Sequence, residues 1–196
     1  MKLRTILRHL KLWLVLVVLA IFCSPTALSI PPLIQNSEET KDMTMNKDQL
    51  RRLIVGVLKD IHGTIPYSDS AVELLMLTSA TESNLGTYVM QVKGPARGIF
   101  QMEPNTEKDI INNYAKNKPE IMALINRYKS NSGETDLIGN IPYQILMARL
   151  LYRRSPKVLP STPHVETLAS IWKEVYNTRL GKGTVEKAVE KYKEYC

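Results

Sequence analysis

Cysteine is almost absent: Cys23 and Cys196 are the only two among 196 residues. One closes an apolar leader and the other is the last residue. Neither is placed for a structural disulfide, and no Cys/His cluster has the spacing of a zinc site. The sequence also lacks any unbroken apolar run of the ~18–20 residues that a membrane-spanning helix needs. That excludes a polytopic membrane protein. No serine sits in a Gly-x-Ser-x-Gly setting, which argues against serine hydrolysis. Internal repeats and low-complexity tracts are missing, and with them solenoids and fibrous classes.

Acidic residues are missing from positions 1–30, which carry Lys2, Arg4, Arg8 and Lys11. The net charge of +7 comes from 26 basic and 19 acidic side chains. Removing those four leaves 22 basic against 19, or +3, so the basicity belongs largely to the leader. A body near neutrality without interleaved aromatics argues against nucleic acid as a partner. The leader continues with an apolar run from Leu12 to Cys23, then Ser24-Pro25-Thr26-Ala27. A basic flank, a short apolar run and Ala27-Leu28-Ser29 as a small-x-small site predict an export signal over 1–29. The mature chain would begin near Ile30. The alternative is an uncleaved membrane anchor. Either way the body is expected outside the cytoplasm, in the periplasm or the extracellular space. Residues 30–45, with Pro31-Pro32 and few apolar side chains, read as a flexible tether.

From residue 46 to 196 the pattern is helical, enough for one domain with its own core. Asn46 caps a helix carrying Leu50, Leu53, Ile54, Val57, Leu58 and Ile61, ended by Gly63. Ser68 or Asp69 opens a second, through Val72, Leu75 and Ser79 to Glu82, stopped near Gly86. Thr106 opens a short one with Ile110, Ile111 and Tyr114. Pro119 suits the first turn of the next, through Tyr128. Another runs from about Pro142 and ends before Pro156. Pro163 starts one with Leu168, Ala169, Trp172, Val175 and Tyr176, and Thr184 caps the last. Tyr88–Val92 is the best candidate for a short strand. About seven helices with short loops predict a mainly α globule.

The chemistry must come from a few unusual residues in this frame. Leu75, Ser79 and Glu82 fall at i, i+4 and i+7 and share a helix face. Glu82 therefore lies on the core side or at its rim. A carboxyl there loses hydration, its pKa rises, and it becomes a proton donor near neutral pH. The bland reading is a polar residue at a fraying helix end. The residues that follow, Thr81-Glu82-Ser83-Asn84-Leu85-Gly86 and then Gly94-Pro95-Ala96-Arg97-Gly98-Ile99-Phe100-Gln101-Met102, put small and rigid residues around an apolar turn carrying one amide. Glycines there allow close approach of backbone to a ligand.

These segments resemble the soluble lytic transglycosylases and goose-type lysozymes, where a helix-ending Glu-Ser supplies the acid. Gly98-Ile99-Phe100-Gln101 is similar to that superfamily's Gly-Leu-Met-Gln turn. Val175-Tyr176-Asn177-Thr178, with Gly181-Lys182-Gly183-Thr184 after it, is similar to its Ala-Tyr-Asn-Ala-Gly motif. Met147–Arg154 and Leu159-Pro160 look like phage and prophage transglycosylase-like proteins. The likeness spans about 65–196. This chain departs from it in a Glu82–Gln101 spacing one residue longer, Thr178 in place of Ala, and a glycine displaced to Gly181.

The resemblance implies a lysozyme-like fold and no cofactor or metal. It implies cleavage of the β-1,4 bond between N-acetylmuramic acid and N-acetylglucosamine in peptidoglycan glycan strands. Glu82 would be the catalytic acid, with Ser83, Gly98, Gln101, Tyr176 and Asn177 on the substrate. A late cleft tyrosine would be Tyr192 or Tyr195. A hydrolytic version needs a second carboxylate, for which Glu103, Asp109 and Asp136 are the candidates. A non-catalytic glycan-binding or structural part of a secretion or virion assembly is the rival from another class. His62, beside a helix end, reads as a partner of the helix dipole. Trp172 and Val175 read as core, and Arg149, Arg153 and Arg154 as a solvated helix face or a contact to anionic wall polymer.

Overall fold

A computed structural model describes residues 44–130, 136–178 and 181–196. The expected export signal and nearly all of the tether lie outside the described residues. Among the described residues eight α-helices form a mainly α arrangement close to the seven expected: α1 (Lys47–Asp60), α2 (Asp69–Ser83), α3 (Pro104–Asp109), α4 (Pro119–Tyr128), α5 (Asp136–Gly139), α6 (Ile141–Arg153), α7 (Val165–Trp172) and α8 (Val185–Tyr195). Two π-helical segments, Ile110–Ala115 and Lys173–Asn177, continue α3 and α7. Among the described residues no helix is long and apolar enough to cross a membrane.

The caps follow side-chain chemistry. Asn46 Oδ1 accepts from the Asp48 and Gln49 amides at 3.1 Å, Ser68 Oγ from Ala71 and Thr184 Oγ1 from Lys187. These groups satisfy amides that a helix start leaves without partners. Two expected ends shift. The third helix starts at Pro104 rather than Thr106, because Pro loses nothing at a first-turn position. Helix α1 stops at Asp60, and Ile61 and Ile65 turn inward through a turn of their own.

Helix α2 is the centre. It packs against α1, α6, α7 and α8. Everything from Ser70 to Ala80 is buried except Glu73, which is half-buried. A helix buried nearly all round needs apolar residues on every face, and LLMLTSA supplies them. Its hydroxyls are satisfied locally: Thr78 donates to the Leu74 carbonyl, Ser79 to Met76 and Thr81 to Leu77.

Three expectations are corrected. Tyr88–Val92 is no strand; the segment forms only isolated bridges, Met90 to Arg97 and Arg97 to Met102. Lys93, Gly98 and Gln101 take positive φ, so the chain turns before either bridge can extend into a ladder. Leu53 is exposed, since the face of α1 that packs inward carries Leu50, Ile54, Val57 and Leu58. Arg149 is only 6% exposed, so it belongs to no solvated face. Arg154, by contrast, pairs with Asp109.

Candidate active site

Helix α2 ends in an uncommon way. Asn84, Leu85 and Gly86 all adopt positive φ, at 51°, 52° and 84°. The Asn84 and Leu85 amides close back on the Ala80 and Ser79 carbonyls at 3.1 Å. Left-handed backbone suits Asn and Gly but costs energy for Leu. Leu85 is 2% exposed, and its burial offsets that cost. The abrupt stop leaves Glu82 on the last turn, at the point where the helix leaves the core.

Glu82 lines a cleft of about 550 Å³ together with Tyr88, Gln101, Glu103, Tyr176, Asn177 and Thr178. Burial pushes its carboxyl up to about 7, against an opposing hydrogen bond from Trp172. The Trp172 indole Nε1 donates to Glu82 Oε1 at 2.9 Å. The other oxygen, Oε2, has no protein hydrogen bond among the described residues. One oxygen is thus held while the other is available to the cleft. A desolvated carboxyl in this setting holds its proton near neutral pH and can deliver it.

Two tyrosines wall the carboxyl. The rings of Tyr152 and Tyr176 stand 5.5 Å apart at 32°. Burial, reinforced by the nearby Glu82 charge, raises both phenols well above their ordinary range, so they stay neutral. Neither hydroxyl bonds to Glu82. Tyr152 donates to Thr78 Oγ1 at 2.7 Å, the Thr78 proton being committed to the Leu74 carbonyl, and Tyr176 donates to the Phe100 carbonyl at 2.8 Å.

The turn Gly98–Gln101 forms the facing wall. Gln101 has φ 46°, and its side-chain Nε2 donates to the Gly98 carbonyl at 2.8 Å and the Tyr88 carbonyl at 3.2 Å. With the nitrogen committed, the amide oxygen is the group left for a ligand. Asn177, the last residue of the π-helical segment after α7, lines the cleft as well. Its Oδ1 accepts from Lys173 Nζ at 2.7 Å. The same ammonium reaches the Thr178 and Gly181 carbonyls and ties the following loop to the helix.

Two expected substrate contacts stand behind the wall instead. Ser83 is 1% exposed. Its hydroxyl meets the Ile99 carbonyl at 2.6 Å and accepts from the Gly86 amide at 2.8 Å, bolting the end of α2 to the turn. A side chain with both its donor and acceptor engaged in the interior has nothing left for a sugar. Gly98 has φ +72°, and a Cβ there would lie 2.1 Å from the Leu137 carbonyl and 2.2 Å from Gln144 Oε1. Its missing side chain makes room for protein rather than for ligand. Gln144 fills that room: Oε1 accepts from the Ile99 amide at 2.8 Å and Nε2 donates to the Ile138 carbonyl at 3.0 Å.

Of the candidate second carboxylates, only Glu103 lines this cleft, from its exposed rim. Asp109 is engaged by Arg154 and Asn113, which hold it below the usual carboxylate range. Asp136 is buried and accepts from Ser130 and Asn140, which together pull it down despite its burial. Neither proposed late tyrosine reaches the cleft. Tyr192 bonds to Glu73, whose other oxygen takes Arg51, and Tyr195 lies under Lys191. His62 acts as a turn lock rather than a dipole partner, its Nδ1 accepting from the Tyr67 amide at 3.0 Å. Among the described residues no group of His, Cys, Asp and Glu could hold a metal ion.

Trp172 was legible as core but not as part of the site, and Tyr152 stood only within the Met147–Arg154 stretch of family likeness. The signal for Trp172 was its indole N–H, since a buried donor needs an acceptor. Four positions ahead of Tyr176, it also belongs to the same helical face. No family model, curated protein or solved structure matches the chain.

Proposed function

We propose that the protein is a peptidoglycan lytic transglycosylase with a lysozyme-like fold, acting outside the cytoplasm on the bond between N-acetylmuramic acid and N-acetylglucosamine. The observation that carries the reading is Glu82: a carboxyl pushed up to about 7, one oxygen held by Trp172, the other available to a polar cleft. The protonated carboxyl gives its proton to the leaving glycosidic oxygen. The substrate's own N-acetyl carbonyl stabilises the cation that develops. Glu82, now ionised, takes the proton of the muramic C6 hydroxyl, which closes on C1 to a 1,6-anhydro sugar. One residue serves as acid and then as base. A pKa near the working pH is what that double duty requires. The Gln101 oxygen and the Asn177 amide supply polar contacts for N-acetyl or hydroxyl groups, and Tyr176 a ring edge at the scissile position.

A second reading, hydrolysis of the same bond, is favoured by one observation. Glu103 lines the same cleft, and a second carboxylate could activate water. Mass spectrometry of purified sacculi digested with the protein separates the two. Anhydro-muropeptides support the transglycosylase, and reducing ends the hydrolase. Absence of soluble product would leave a glycan-binding or structural role and overturn both.

A further inference from the structure

Tyr152 also lines a second cavity, of about 350 Å³. Its chemistry is unlike that of the cleft. Arg149, Arg153 and Lys157 line it, and among the described residues no Asp or Glu does. Ser68, the N-cap of the fifteen-residue helix α2, contributes to the wall. A helix start carries partial positive charge and adds to the same field.

Arg149 is the informative member. It is 6% exposed, yet no ion pair among the described residues balances it. One terminal nitrogen donates to the Pro66 carbonyl at 3.3 Å, a long bond, and Nε has no partner among the described residues. The ionised neighbour acting on it is another cation, Arg153, and burial with that repulsion pushes the guanidinium down to about 10. A buried cation without a partner costs several kcal/mol, and a fold rarely keeps one without use. Lys157 is partly engaged by Glu174, and Tyr67 turns its hydroxyl to Asp69 outside the lining. Arg153, exposed and in no ion pair among the described residues, stands at the mouth.

We propose that this cavity is an oxyanion site that takes a phosphoryl group, with Arg149 as the buried fork and Arg153 as the gate. A guanidinium pairs a planar or tetrahedral oxyanion through two parallel hydrogen bonds. One arginine suffices for a carboxylate. Two arginines, a lysine and a helix start with no acid in the lining suit a doubly charged phosphate better. The site is independent of the glycan reading, because Arg149, Arg153 and Lys157 take no part in the cleft and the two share only the Tyr152 wall.

The test is thermal unfolding of the full chain with increasing inorganic phosphate, chloride holding ionic strength constant and acetate as the planar comparison. Phosphate should raise the midpoint in a saturable way, as a ligand bound only by the folded state does. Arg149→Met, which replaces an unpaired charge with an apolar chain of similar length, should fold and weaken phosphate binding by at least about tenfold. Arg153→Ala, at the exposed mouth, should weaken it as well and serves if Arg149→Met fails to fold. Sedimentation with phosphatidylcholine vesicles, with and without phosphatidic acid, names the source. An increment due to phosphatidic acid that is lost in Arg149→Met identifies a lipid headgroup. A phosphate response without that increment identifies a free phosphate. No saturable response to phosphate, an equal response to acetate, or a response unchanged in both variants overturns the proposal.

Discussion

At the residue scale the site reduces to one carboxyl and one indole. Burial raises the Glu82 carboxyl and the Trp172 hydrogen bond lowers it, and burial prevails. Glu82→Gln keeps size and can still accept from the indole. It should fold as well as the parent and lose ~10²–10⁴-fold or more in turnover, because neither proton transfer remains. Release of muropeptides from sacculi at matched folded concentration checks this, and comparable release from both would remove Glu82 as the acid. Trp172→Phe probes the opposing term. Its N–H favours the ionised carboxylate, so its loss should raise the Glu82 pKa further. The alkaline limb of the rate profile, expected near pH 7 in the parent, should then move to higher pH. A limb that stays in place would show that another group sets it. Gln101→Ala leaves two carbonyls without one donor each but opens no core cavity. It should reduce turnover far more than it lowers the unfolding midpoint. If the domain unfolds while activity per folded molecule is kept, Gln101 is structural.

At the scale of elements, the site depends on how the end of α2 is fastened to the turn opposite it. Ser83 and Gln144 hold that turn from behind, at Ile99, and Gly98 lets it come close. Gly98→Ala must push a methyl into the Leu137 carbonyl while keeping φ at +72°. The expected cost is more than about 2 kcal/mol, from strain and overpacking together. Denaturant unfolding measures it, and a loss within error would mean that the turn can shift freely. The helices themselves were legible because periodicity, Asn46, Ser68, Thr184 and the prolines are local signals. Glu82 was legible for the same reason, from its place on the face of Leu75 and Ser79. What could not be read were contacts across long stretches of sequence. Ser83 and Gly98 stood in the expected motif, yet no local pattern tells whether a small residue faces ligand or protein. The strand expected at Tyr88–Val92 failed because alternation does not report whether a partner strand exists. Arg149 sat on a helix with two other arginines, and only packing reveals that one of the three is inside.

For the whole molecule, burial of Glu82 couples the site to stability. The carboxyl moves from 4.5 to about 7 on folding, so the neutral form is the one the fold prefers. The associated stability is fully present below pH ~4.5 and is lost as pH rises through about 7, a change of order 3 kcal/mol. Asp136 acts in the opposite sense. Its lowered pKa contributes stability above the ordinary carboxylate range, lost as pH falls through that range. Stability should therefore be greatest in mildly acidic solution. Calorimetry across pH should show the decline between about pH 4.5 and 7, and Glu82→Gln should flatten it. A decline that persists unchanged in the variant would assign it to other groups.

The bond between Trp172 and Glu82 has an optical consequence. Tryptophan occurs twice in the sequence, and the other, Trp13, lies outside the described residues. The emission of Trp172 should therefore carry a signal from the carboxyl it touches, changing colour or brightness when the proton arrives or leaves. The molecule contains its own indicator dye. The ionisation on which turnover is expected to depend can be followed in a cuvette, with no glycan present and no label attached.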